Sequence, residues 1–359
     1  MISFVDRKPI KNFGARWFAA VMGTGAIAIS MFLASSYFAP FLTLAQAFLL
    51  LSIGMFLSFL ILLTIRVIFH FEKVKKDLHH PIIGNFFPTL PISLIVIGIA
   101  LNSIGPTLFD SSLLTVNTLL FVMGSLGVFI FGWLILSINF IHNEIDLEHA
   151  NYGWFIPPVS HLIIPVLGLS LINQYTGSAL ADIVFIISIA AFGIGFLLFL
   201  FVGSIIYHRY TYHELPISRL APTFMIGLAP TSIITIILVK LIDSVNNISF
   251  HIQPDLILPI MKIAAIMMWG FSAWWFILAV ILLLHYYRND DHPFVFGWWA
   301  YTFPLAAFTI SNGAVYHLLD YKLFEIMLIT FNIVLLAVWV IVSLKTLDAI
   351  KGGRCFDGH

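Results

Sequence analysis

The chain has 359 residues, 60% of them hydrophobic and 9% charged, with 17 Lys+Arg against 17 Asp+Glu. A soluble domain carries about 25% charged residues, so this chain cannot cover a water-facing surface, and a mean hydropathy of +1.03 marks it as polytopic in a membrane. The balanced charge offers no basic face for nucleic acid, and the single cysteine, Cys355, excludes an intrachain disulfide and a cysteine-ligated zinc or iron–sulfur centre.

Residues 1–11 are polar and lead into an apolar run too long for a signal peptide. From 17 to 64 no residue is charged, and Ser35-Ser36-Tyr37-Phe38-Ala39-Pro40 places a turn inside that run. Charge-free runs recur between Asp77 and Asp110, Asp110 and Glu144, Glu148 and Asp182, and Asp182 and Arg209. They continue between Arg219 and Lys240, Lys262 and Arg288, Asp291 and Asp320, and Glu325 and Lys345. Each approaches or exceeds the ~20 residues that cross the hydrocarbon core, and backbone in lipid must satisfy its own hydrogen bonds, so the runs are helices. The predicted spans are 14–35, 42–69, 84–103, 113–141, 155–174, 180–207, 219–242, 256–286, 295–317 and 323–346. Together they form one transmembrane domain over 1–359, with short tails.

With the N-terminus cytoplasmic, 14 of the 17 basic residues face the cytoplasm, and only Lys240, Lys262 and Lys322 fall on the other side. This is the positive-inside pattern. Both termini are therefore expected at the cytoplasmic face of a multi-pass protein of the cell membrane.

A repeat underlies the run. Predicted helices 2, 4, 6 and 8 end at His70, His142, His208 and His285, and a polar linker after each holds a second histidine, His80, His149, His213 or His292. The chain reads as five hairpins in one orientation: 14–69, 84–141, 155–207, 219–286 and 295–346. The odd helices carry Pro88, Pro91, Pro157, Pro158, Pro165, Pro222, Pro230 and Pro304, with Gly23 and Gly25 in the first, whereas the even helices carry Pro259. Proline within a helix removes a hydrogen bond and bends it. Such helices are tolerated where they are buried in protein or line a cavity. The expected fold is all-α, an inner ring of kinked odd helices around a central pore within an outer ring of even helices. The alternative is that the prolines serve only packing.

Two segments carry a resemblance. Trp17-Phe18-Ala19-Ala20-Val21-Met22-Gly23-Thr24-Gly25 resembles the opening of malate permeases and sulfite efflux pumps. Trp298-Trp299-Ala300-Tyr301-Thr302-Phe303-Pro304 is similar to the ninth helix of plant slow-type anion channels. Both groups belong to the tellurite-resistance/dicarboxylate transporter family. The resemblance implies ten helices in five hairpins, a homotrimer, and a phenylalanine of helix 9, here Phe303, plugging the pore. The residues alone allow either a gate or an ordinary core phenylalanine: Ala300, Ala306 and Ala307 leave one large ring on a small-residue face. Phe86 and Phe87 are a candidate second constriction.

The spans hold few internal cations, and a fixed charge in the membrane centre is expensive. An anion path would then rely on helix dipoles, exposed peptide N–H groups, hydroxyls and amides. Pore-lining or kink candidates are Gly23, Thr24, Gly25, Pro88, Pro91, Pro165, Pro230, Ala300, Pro304 and Ala307. Ser93, Thr231, Ser232, Thr309 and Asn312 are polar candidates for which interhelical hydrogen bonding is the favoured alternative. Arg16 and Arg219, at cytoplasmic starts of odd helices, are candidates for drawing anions in, while Lys240 and Lys262 either attract anions at the outer mouth or, the favoured reading, snorkel to headgroups. His161, inside helix 5, is a proton-relay candidate or a structural histidine.

The histidines also raise a membrane di-iron enzyme as a distant rival. Their spacings, 5 for His208/His213 and 7 for His142/His149 and His285/His292, fit helix ends better than metal clusters. No metal or cofactor is expected. The function expected is transport of small anions or C4-dicarboxylates such as malate through a pore gated by Phe303. The alternative is a proton-coupled dicarboxylate or sulfite carrier of the same fold. The expected partners are these anions, the lipid bilayer and two further copies of the chain, with no nucleic acid.

Overall fold

A computed structural model of the chain describes residues 7–109, 112–141, 146–249, 254–289 and 293–356. His142 and His292 lie outside the described residues. Ten long helices account for most of the chain: α1 (Phe18–Ala34), α2 (Pro40–Phe69), α3 (Thr89–Ile104), α4 (Leu114–Ile141), α5 (Ile156–Ile172), α6 (Ala179–Tyr212), α7 (Ala229–Ser244), α8 (Pro254–Asn289), α9 (Thr302–Leu319) and α10 (Lys322–Lys351). Among the described residues nine helical segments are long and apolar enough to cross a membrane, all but the one containing α9. No strand occurs among the described residues.

The odd helices are short and enclosed, the even ones long and outward-facing. The most apolar windows of the segments containing α1, α3, α5 and α7 are 78–94% buried, against 11–33% for the even helices. Each odd helix packs on the even helix that follows it. The odd helices also pack on one another as a closed ring, α1 on α3, α3 on α5, α5 on α7, α7 on α9 and α9 back on α1. Lipid tails are as apolar as leucine, so the exposed Ile, Leu and Phe of the even helices need no further cover in a bilayer.

The prolines act differently from the sequence expectation. Only Pro165 stands inside an odd α-helix; Pro222 lies inside a 3₁₀ segment, and Pro259 inside the even helix α8. Pro88 precedes α3, and Pro91, Pro157, Pro158, Pro230 and Pro304 fall in first turns, where a missing N–H costs nothing. Each odd helix is instead preceded by a 3₁₀ segment: Ala15–Trp17, Gly84–Phe86, Tyr152–Phe155, Ser218–Leu228 and Phe296–Tyr301. In the last four, a proline four residues on deprives a carbonyl of its α-helical donor. The pairs are Gly84 with Pro88, Gly153 and Trp154 with Pro157 and Pro158, Ile226 with Pro230, and Ala300 with Pro304. The tighter winding is the backbone's way of bonding through that turn.

One element is additional to the predicted spans. The linker after α2 forms a helix, Phe71–His79, that buries Val74 beside Ala15, Phe87 and Ile135. Its Asp77 meets the buried Arg66 at 2.8 Å, and Arg66 also donates to the carbonyls of Lys11 and Phe13 at 3.0 and 2.9 Å. The C-terminal residues fold back as well. Phe356 stacks on Trp17 at 5.5 Å and accepts a hydrogen bond from Asn12 at 2.7 Å.

Candidate functional site

The inner ring encloses a cavity of about 210 Å³. All five odd helices line it, mainly with aliphatic side chains: Ala26, Ile29 and Leu33 of α1, Val96 and Ile99 of α3, Ile163 and Val166 of α5, Ile233, Ile236 and Val239 of α7, and Ile310 of α9. On α9 the lining residues Phe303, Ala307, Ile310, Ala314 and His317 recur at helical spacing along one face. At 1.5 Å per residue they span about 21 Å. Phe303, 7% exposed, stands at the N-terminal end of that stripe, and His317 at the other.

Phe303 is set by close packing. Thr302 donates to the Trp299 carbonyl at 2.8 Å, holding the junction between 3₁₀ segment and helix. Gly23 of α1 lies against this junction: a Cβ there would stand 2.8 Å from the Thr302 Cβ and 3.7 Å from the Phe303 nitrogen. Gly25 meets α3 in the same way, with a built Cβ 2.8 Å from Val96 Cγ1. The two glycines therefore serve helix contacts, and neither is among the residues lining the cavity.

The remaining sequence candidates divide. Ala307 lines the cavity; Ala300 is half-buried in the preceding 3₁₀ segment. Thr24 turns outward, donating to the Ala20 carbonyl at 2.7 Å and accepting from Trp339 Nε1 of α10 at 3.0 Å. Ser93 bonds the Phe18 carbonyl of α1, Thr231 bonds Ser272 of α8, and Asn312 accepts from Trp269 of α8. Pro91 faces α4, where a Cβ on Gly127 would come within 2.8 Å of its ring. Pro165 leaves the His161 carbonyl without its helical donor. His161 is buried, its Nδ1 donating to the Pro157 carbonyl at 2.9 Å, and its ring packs against Phe129 and Gly132 of α4. It lies outside the lining of the cavity. Phe87 packs on Phe131 of α4, also away from it.

Arg16 donates to the Cys355 carbonyl at 3.4 Å and lies 5.9 Å from the Phe296 ring centroid. Arg219 is exposed in its 3₁₀ segment. Among the described residues, no three of His, Cys, Asp and Glu gather as a metal site.

Two residues of the site, Asp243 and His317, escaped the sequence reading, which favours snorkelling for Lys240 over drawing anions. Lys240 instead turns into the cavity, where its ammonium donates to Ser170 of α5 at 2.6 Å. Asp243, one turn on, and His317 share the lining, 3.7 Å apart. The available signal was Lys240's breach of the positive-inside pattern. Snorkelling explained it equally well until the direction of the side chain was known.

A ring of helices around one membrane-embedded cavity, aliphatic along its walls and charged at one mouth, is the build of a polytopic transport protein. Residues 12–347 match the family described as voltage-dependent anion channel, and the chain belongs to that family. It is 32% identical to the uncharacterized transporter MJ0576 of Methanocaldococcus jannaschii over 98% of this chain and 97% of that one. A second uncharacterized transporter of the same organism, MJ0762, is 30% identical over 97% of each chain. The sulfite efflux pump SSU1 of Trichophyton rubrum is 24% identical over 94% of this chain and 90% of its own.

Proposed function

We propose that the chain crosses the cell membrane ten times as five hairpins, with both termini cytoplasmic, and passes small anions through the central cavity under control of Phe303. The observation that carries this reading is one cavity bordered by all five inner helices, with a single large ring at the end where α9 begins. The C-terminal halves of all five helices line the cavity, so the helices run parallel and their N-termini gather on the Phe303 side. Their partial positive charge favours an anion there without fixing it. The aliphatic wall offers nothing to hold an anion tightly, as conduction requires, and a rotation of the Phe303 side chain opens the way.

Family membership supports anions as the substrate class, and the SSU1 relative favours sulfite within it; the resemblance to malate permeases adds C4-dicarboxylates. A homotrimer is the assembly proposed from the same resemblance, checked by the mass of the particle in detergent. The proton-coupled carrier is the weaker alternative, since His161 packs against α4 rather than the cavity.

The test is anion flux into liposomes at imposed membrane potential, for sulfite, malate, nitrate and chloride. A channel follows the potential, about 2.3 kcal/mol per charge per 100 mV, whereas a carrier follows the pH gradient. Phe303→Ala raises flux if the ring gates the path. Unchanged flux through a well-folded variant removes the gate.

A further inference from the structure

The mouth opposite Phe303 poses an electrostatic problem that the walls do not solve. Five helix C-termini gather there, each carrying a partial negative charge, and Asp243 adds a full one at the lining. An anion leaving or entering by this mouth meets repulsion from every inner helix. Lys240 is the lysine within the lining. Its ammonium is held by the Ser170 hydroxyl, and among the described residues no carboxylate is recorded within ion-pair distance of it. A half-buried ammonium that donates to a hydroxyl keeps two further N–H donors for a ligand. Beside it, the Asp243 carboxylate faces the imidazole of His317 across 3.7 Å.

We propose that Lys240 and Ser170 form an anion-binding subsite at this outer mouth, and that the Asp243–His317 pair sets its net charge. The ligand class is a small oxyanion, carboxylate, sulfite or nitrate, taking N–H donors from the ammonium, while Ser170, whose hydroxyl donates to the Val166 carbonyl at 3.0 Å, holds that ammonium in place. With a neutral imidazole, the lysine and the aspartate cancel. With a protonated one, the aspartate is answered by His317 and the lysine stands as net positive charge. Protonating the imidazole therefore raises the net charge of the subsite, and acid favours its filling.

The other ionisable groups around His317 do not replace this pairing. Tyr316 and Asp320 lie on its own segment, Tyr37 meets Tyr316 edge-to-face from the turn after α1, and Lys322 on α10 is already bound to Glu325 at 2.6 Å. Lys262 on α8 is exposed, and Asp243 and Lys240 on α7 are the groups within the lining.

This inference rests on the transport reading for its purpose but is tested by binding. The probe is nitrate, a single anion at every pH used, so any pH dependence belongs to the protein. Nitrate binding to the detergent-purified chain is read from the rise in melting temperature with concentration, at constant ionic strength, between pH 5.5 and 8. The wild type should bind more tightly as pH falls. Lys240→Gln, which keeps a donor to Ser170, should weaken binding about tenfold, the loss of a charged hydrogen bond. Lys240→Arg should retain it. His317→Gln should hold affinity at the weak, high-pH value throughout, and Asp243→Asn should bind at pH 8 as tightly as the wild type does at pH 5.5. Undiminished binding by a folded Lys240→Gln overturns the subsite, and a pH dependence that survives His317→Gln, or weak binding at pH 8 by Asp243→Asn, overturns the control. Flux through Phe303→Ala, measured separately, tells whether the transport reading stands when the subsite falls.

Discussion

Gly23 of α1 lies so close to Thr302 of α9 that a Cβ on the glycine would overlap the threonine hydroxyl and stand 2.8 Å from its Cβ. This contact closes the ring between its first and last members, immediately beside Phe303. Gly23→Ala should lower stability by about 1–2 kcal/mol, because overpacking outweighs the helix propensity gained. Thr302→Ala in the same chain should recover part of the loss. Thermal unfolding in detergent, run as a double-mutant cycle, checks the coupling.

Ala307 lies one turn from Phe303 on the cavity face of α9. Ala307→Trp places an indole into the cavity. Anion flux in liposomes should fall by about tenfold or more, equivalent to about 1.4 kcal/mol at the barrier, with a melting temperature near that of the wild type. Normal flux would move the path elsewhere in the protein.

Thr24 is a packing residue on this structure, satisfying the Trp339 indole N–H from across the α1–α10 interface. Thr24→Val preserves shape and leaves that donor without its partner, so stability should fall by about 1–3 kcal/mol. The concentration of anion giving half-maximal flux should stay unchanged. A shift in that concentration would return Thr24 to the path.

His80 turns the corner between the helix Phe71–His79 and α3. Its Nδ1 accepts the backbone N–H groups of Ile82 and Ile83 at 3.1 and 3.2 Å, a role open only to the unprotonated nitrogen. Burial lowers its pKa, helped by His149 and Lys76 and opposed by Asp77. A depressed pKa means the unfolded chain binds more protons, so this contribution is complete above the unfolded value near 6.5 and is lost as pH falls through the folded one. His80→Asn keeps an acceptor for the turn and should flatten the fall in stability below pH 6.5. Unfolding midpoints between pH 5 and 8 measure the difference.

How much of this was legible in the chain follows from what each signal encodes. Charge-free runs report length directly, because lipid excludes both charge and unpaired backbone. Hence the ten helices lie within a few residues of their expected places, apart from the first turns that wind as 3₁₀. The prolines marked the odd helices as a class, yet their use at helix starts depended on where each helix begins, and hydropathy does not mark that point. The helix Phe71–His79 was hidden for the opposite reason: it is polar, and its one buried face is defined by Ala15, Phe87 and Ile135 from distant parts of the chain.

The sequence by itself determined a membrane protein of helical hairpins and the family it resembles, since solvent and repeat are written in composition and spacing. Only the tertiary structure decided which residues face the cavity. A threonine and a lysine on two inner helices look alike as intramembrane polar groups. Thr24 is claimed by Trp339 on one side of the ring, while Lys240 is drawn inward to Ser170. The direction of a side chain depends on the helix packed against it, and that neighbour is remote in sequence.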